Sequence, residues 1–196
     1  MKKNFIGLDE LRVIENKMDL LLPVECPEIP FNIEHVLHEH EDYLLILGVS
    51  QMKNGDSVNL LSLRNKFGQD PNLSEPCFYN QDWYLNEEFI ALPLESKWFL
   101  IRKNVYEMTR AKNPEDLQIK YNFPSAILCA YSFFACNLLC EEILWKHDFV
   151  WCNDLDHNGD RIYVGKYIDI DGVNKNGFSI HRHLALRSCY ASIEFL

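Results

Sequence analysis

Apolar residues near the start of the chain recur at helical spacing. Leu8, Leu11, Ile14, Met18 and Leu21 are separated by Asp9, Glu10, Glu15 and Asp19, which predicts an amphipathic helix over residues 8–22. Pro23, Pro27 and Pro30 then end that pattern, because each removes a backbone donor and restrains the residue before it, and the stretch reads as a linker. The continuous apolar run YLLILGV at 43–49 is short and closes near Gly48, as a strand buried on both faces does. After the Asn54-Gly55 turn, Ser57 is placed to cap a helix through Leu60, Leu61, Arg64 and Phe67, with Gly68 to terminate it. Residues 69–80 are polar and proline-containing and read as a loop.

Residues 97–105 (KWFLIRKNV) have strand composition, and Asn113-Pro114 opens a short helical turn. Pro124 stands just before a long apolar segment, predicting the main helix over residues 125–145, since a proline at that position forfeits no helical hydrogen bond. From His147 onward the texture is β: residues 148–153, 161–168 and 178–184 are strand candidates. They are separated by the Asn158-Gly159 turn and by a loop over 171–177 containing Asp171-Gly172 and Asn176-Gly177, which together predict an antiparallel meander. The expectation is an α+β fold, helices packed on a mainly antiparallel sheet that comes largely from the C-terminal third. The whole chain, 1–196, is read as one domain: an N-terminal helix and Pro-rich linker (1–30), a mixed α/β part (31–122), and a core helix plus β-meander (123–196).

Composition changes this picture mainly by exclusion. With 47% hydrophobic residues the chain has apolar area for a core without a disulfide framework or a structural metal. Its 29 acidic against 19 basic residues give a formal charge of -10, a field that repels nucleic-acid backbones and anionic lipid. The apolar stretch at 126–140 is shorter than the about 20 residues a bilayer span needs. Seven cysteines, an odd number with no CxxC pair, read as reduced and mostly buried thiols. The N-terminus has no signal-peptide h-region, and both features predict a cytoplasmic protein.

Candidate chemistry is sparse. Asp154, Asp156, Asn158, Gly159 and Asp160 put oxygen ligands at alternate positions, as the first half of a Ca²⁺-binding EF-hand loop does. The twelfth position is Gly165, however, so the stretch reads first as an Asx-rich hairpin turn capping its own backbone, with weak Ca²⁺ binding as the competing reading. His181 and His183 are two apart on a strand candidate and leave one face. That geometry offers two imidazoles to Zn²⁺, with a third ligand available in Asp154, Asp156 or the His35, His38, His40 group. That upstream group reads first as a solvated surface, and Cys129, Cys136 and Cys140 as one packed stripe of the main helix. Phe78, Tyr79, Trp83 and Tyr84 form an aromatic set suited either to a ligand groove or to the core. No GxSxG, GxxxxGK[ST] or GxGxxG signature is present.

The segment WCNDLDHNGDRIYVGKYIDIDGV at 151–173 resembles the last segment of uncharacterised bacterial proteins with C-type-lectin-like ends, including targets of diversity-generating retroelements. The shared pattern is a strand, an Asp/Asn-rich turn, an Arg-Ile-x-Val-Gly strand and an Asp-Gly turn. The WFLIRK strand and the Pro-Ser-Ala helix start fit the same run, so the resemblance covers about residues 98–190. It implies a scaffold that presents a polar binding face on the loop 169–183, and no site residue is carried over from it. The function expected is therefore a non-catalytic module binding a protein or small-molecule ligand through Tyr79, Trp83, Tyr84, Asn174 and Asn176. The alternatives are a metal-dependent hydrolase built on His181, His183 and Asp154 or Asp156, and a structural protein self-associating through the apolar tail at 193–196 into a homo-oligomer.

Overall fold

The computed structural model describes residues 4–30, 42–167, 176–182 and 186–193. They form a mixed α+β fold with two sheets and, among the described residues, four α-helices and no barrel. Strand β1 (Phe5–Ile6) leads into α1 (Leu8–Met18), where the Glu10 carboxylate accepts the Gly7 N–H at 3.0 Å. Strand β2 (Tyr43–Leu47) pairs parallel with β1 and antiparallel with β3 (Trp98–Arg102), giving the order β1-β2-β3. Between them lies α2 (Leu60–Phe67), capped by Asn59 rather than Ser57. The Asn59 side chain accepts Ser62 N–H while Ser62 Oγ accepts Asn59 N–H. A short α3 (Pro114–Gln118) precedes α4 (Ala126–Cys140), and the second sheet follows. Its strands are β4 (Phe149–Leu155), β5 (Arg161–Gly165), β6 (Ser179–Arg182) and β7 (Tyr190–Ala191), in the order β6-β5-β4-β7.

The expected meander is present as β4-β5-β6, antiparallel throughout, but β7 adds a parallel edge beside β4. The expectation of one sheet drawn largely from the C-terminal third is corrected by β1-β2-β3, which the first half of the chain mostly builds. Both long helices also stop short of their predicted ends. Asp19 and Glu141 turn into the left-handed region at φ 60° and 56°, and Leu20 then bridges to Met52. The proline linker is tied down where the Trp98 indole donates to the Pro27 carbonyl at 2.9 Å.

Helix α4 is the centre of the molecule. Every residue from Ala126 to Cys136 is buried, because the helix packs against α1 and α2 and against β4 and β5. Its Tyr131 hydroxyl donates to the Leu47 carbonyl at the end of β2, so the helix is also fixed to the first sheet. Val150, Cys152, Ile162, Val164, Ile180 and Ala191 face the core that contains α4. The opposite face of the second sheet carries Phe149, Trp151, Tyr163 and Tyr190, covered by Leu117 and Phe123. Burial on both faces explains the unbroken apolar start of β4. All seven cysteines are free thiols and four are buried. Ile193, expected in an exposed tail, is fully buried instead; residues 194–196 lie outside the described residues. Among the described residues, no helix is long and apolar enough to cross a membrane.

Candidate functional site

Strand β6 lies at one edge of its sheet, and the segment after α2 covers it. Phe178 N–H donates to the Cys77 carbonyl at 2.9 Å and Tyr79 N–H to the Phe178 carbonyl at 3.0 Å. One step along, the exposed edge is completed by side chains: Ile180 N–H donates to Gln81 Oε1 at 3.2 Å and the Trp83 indole to the Ile180 carbonyl at 3.0 Å. Such pairing removes the unpaired amides that make sheet edges sticky. Buried Arg64 holds this segment from below. Its Nη2 donates to Gln69 Oε1 at 2.6 Å and the Gln81 carbonyl at 3.1 Å, and it ion-pairs with Asp82.

The seam opens onto a polar cleft of about 860 Å³. Gln69, Asp70, Pro71 and Asn72 line one side, and Glu75, Tyr79, Asn80 and Asn176 complete it. Among the described residues no lysine or arginine is in the lining, and Asp70 and Glu75 are its charged groups. The Asp70 carboxylate accepts both the amide and the side-chain N–H of Asn72 at 2.9 Å, setting the turn that forms the wall. Two of the five residues expected to bind ligand, Tyr79 and Asn176, thus meet in one cleft. Trp83 and Tyr84 do not line it. Trp83 is committed to Ile180 with the Arg182 guanidinium 5.2 Å from its ring centroid, and Tyr84 is 1% exposed beneath Arg64. Asn174 lies outside the described residues. Gln69, Asp70, Asn72 and Glu75 read in the sequence only as loop; their polar, proline-containing composition was the available signal.

His181 sits on the aromatic face of the second sheet, stacked on Tyr163 (centroids 5.5 Å apart) and edge-on to Phe149 (5.1 Å). Because Gln81 Oε1 is taken by Ile180 N–H, the Gln81 amide donates to His181 Nε2 at 3.3 Å, which places the imidazole proton on Nδ1. Burial, with the Lys166 ammonium nearby, pushes the imidazole pKa down to about 4. The unfolded chain takes up that proton near pH 6.5, so stability is full above that pH and is lost as the pH falls toward 4. His181→Phe is expected to remove this component, about 2 kcal/mol allowing for partial solvent screening. Thermal unfolding at pH 7.5 and 4.5 checks it: the wild type should lose more stability between the two than the variant. The ring is therefore held as a neutral, hydrogen-bonded imidazole. His183 and the His35, His38, His40 group lie outside the described residues.

The Asp-rich turn between β4 and β5 divides its carboxylates between two tasks. Asp154, with burial pushing its carboxyl above the ordinary value and the Ala126 N–H at 2.6 Å drawing it back, caps the first turn of α4. Asp156 Oδ1 accepts Asn158 and Asp160 N–H at 2.8 and 2.9 Å, and Arg182 reaches Oδ2 at 3.3 Å. Burial works against the Asp156 carboxylate, but these donors outweigh it and hold the group below its ordinary value. This is the self-capped Asx turn expected from the spacing, with Asn158 exposed at its tip and Asp160 beside it. Among the described residues, no three-ligand group joins His181 to Asp154 or Asp156; the group that does form is Glu87, Asp156 and His157. Sequence reading passed over Glu87 and His157 because they are 70 residues apart. No family model, curated protein or solved structure matches the chain.

Proposed function

We propose that the protein is a non-catalytic binding module whose ligand enters the cleft between residues 69–80 and Asn176. The observation that carries this reading is the cleft itself, with a volume suited to a small molecule or a short segment of a larger one. Its amide and carboxylate lining, with the Tyr79 ring as the aromatic among the described lining residues, fits a neutral polyhydroxylated or amine-bearing ligand better than an anion. The C-type-lectin-like organisation of residues 98–190 belongs to the same proposal. It is supported by the β4-β5-β6 meander and by the position of Asn176, at the mouth of the cleft within the stretch for which the resemblance implies a binding face. A cytoplasmic setting, consistent with seven unpaired thiols, completes it.

The test is a ligand-observed magnetic resonance screen of the purified protein against three sets of probes: sugars and other polyols, primary amines, and organic phosphates. Binders are expected in the first two sets and not in the third, and Tyr79→Ala should weaken each binder by about tenfold. Binding that is confined to phosphates, or that is untouched by both Tyr79→Ala and Asn176→Ala, would overturn the reading.

A further inference from the structure

Away from the cleft, three potential metal donors converge from two parts of the chain. His157 stands at the tip of the β4-β5 turn, and its Nδ1 lies 2.7 Å from Glu87 Oε1, while its amide donates to Glu87 Oε2 at 2.9 Å. Donor atoms of Glu87, Asp156 and His157 all lie within 4.8 Å of one another. Glu87 and Asp156 are 8% and 6% exposed, so two carboxylates are withdrawn from water side by side. Arg182 is bonded at 3.3 Å to Asp156. His157 has a 65% exposed side chain, so its ring is reached from solvent.

Glu87 already takes the His157 amide and ring nitrogen, and Asp156 the turn amides and Arg182, so an incoming ion would displace the His157–Glu87 hydrogen bond and compete with Arg182. One nitrogen and two carboxylate oxygens with an open side form the donor set of Zn²⁺ and related transition ions. Ca²⁺ instead takes six to eight oxygens, and Mg²⁺ keeps most of its waters.

We propose that Glu87, Asp156 and His157 form a binding site for a divalent transition-metal ion, with Zn²⁺ the best fit. The ion takes the place of the His157–Glu87 hydrogen bond, and Arg182 competes with it for Asp156. The site is independent of the ligand cleft, so its failure would leave the function proposed above untouched.

Calorimetric titration of chelator-treated protein with Zn²⁺, repeated in excess Mg²⁺ and Ca²⁺, tests the assignment. One-to-one Zn²⁺ binding that survives the competing ions is expected. His157→Ala, at an exposed position that leaves the fold intact by circular dichroism, should weaken it at least about tenfold, and Glu87→Gln should do the same. Arg182→Met should tighten binding by removing the competitor, a result that a merely structural cluster would not produce. Absence of Zn²⁺ binding, binding unchanged in His157→Ala, or weaker binding in Arg182→Met would each overturn the proposal.

Discussion

Replacing Phe134 with alanine is expected to cost the fold about 3 to 5 kcal/mol, among the largest effects of any single truncation in the chain. Phe134 is fully buried on α4, stacked on Phe67 of α2 with ring centroids 4.0 Å apart and planes 9° from parallel. It also meets Phe78 at 5.0 Å, Phe133 at 5.2 Å and Phe178 at 6.1 Å. Three other segments therefore close around one ring beside its helix neighbour Phe133, and none of them can collapse into the space it leaves without breaking contacts of its own. The energetic penalty adds a cavity to the lost transfer free energy. Because Phe78 and Phe178 precede Tyr79 and β6, the same substitution should loosen the cleft wall and weaken ligand binding there. Phe134→Leu retains most of the volume and should lose roughly half as much or less. Equilibrium urea unfolding measures both; a loss below about 1 kcal/mol for the alanine variant would contradict the packing described.

Gly177→Ala is expected to destabilise the protein by about 3 kcal/mol and to abolish binding in the cleft. Gly177 has φ +134°, a conformation that side chains avoid, and a Cβ there would lie 2.3 Å from Tyr79 N and 2.6 Å from the Phe78 carbonyl carbon. Those are main-chain atoms of the segment that bridges to Phe178, so no side-chain rotation relieves the clash. The segment carrying Tyr79 has to move away from Asn176, and the cleft separates along its seam. Gly159 provides the control. It has φ +83° with nothing within 4 Å of where a methyl group would sit, so Gly159→Ala carries backbone strain alone, about 1 to 2 kcal/mol, and should leave the cleft intact. Equal losses for the two variants would mean that the close approach at Gly177 is not as tight as described.

These effects separate what was legible in the sequence from what was not. The local signals were strong wherever a segment's own pattern suffices. Period-3.6 spacing marked α1, Pro124 marked the start of α4, and the Asn158-Gly159 turn between two strand candidates marked the β4-β5 hairpin, because helix starts and tight turns depend on neighbours within a few residues. The self-capping of Asp156 was readable for the same reason. Strands β1 and β7, each two residues long, carry no periodicity at all and exist only because β2 and β4 offer them an edge. The neutrality of His181 was equally hidden, since Gln81, Tyr163 and Phe149 come to it from elsewhere in the chain.

Local pattern was thus enough to specify the helices, the C-terminal hairpins and the acidic, thiol-rich character of this protein. Three-dimensional packing settled the division into two sheets around α4, the meeting of Tyr79 with Asn176, and the convergence of Glu87 on His157. The physical reason is range: caps, turns and periodicity act over one or two turns of chain, whereas desolvation and side-chain convergence depend on which distant segments the core brings into contact.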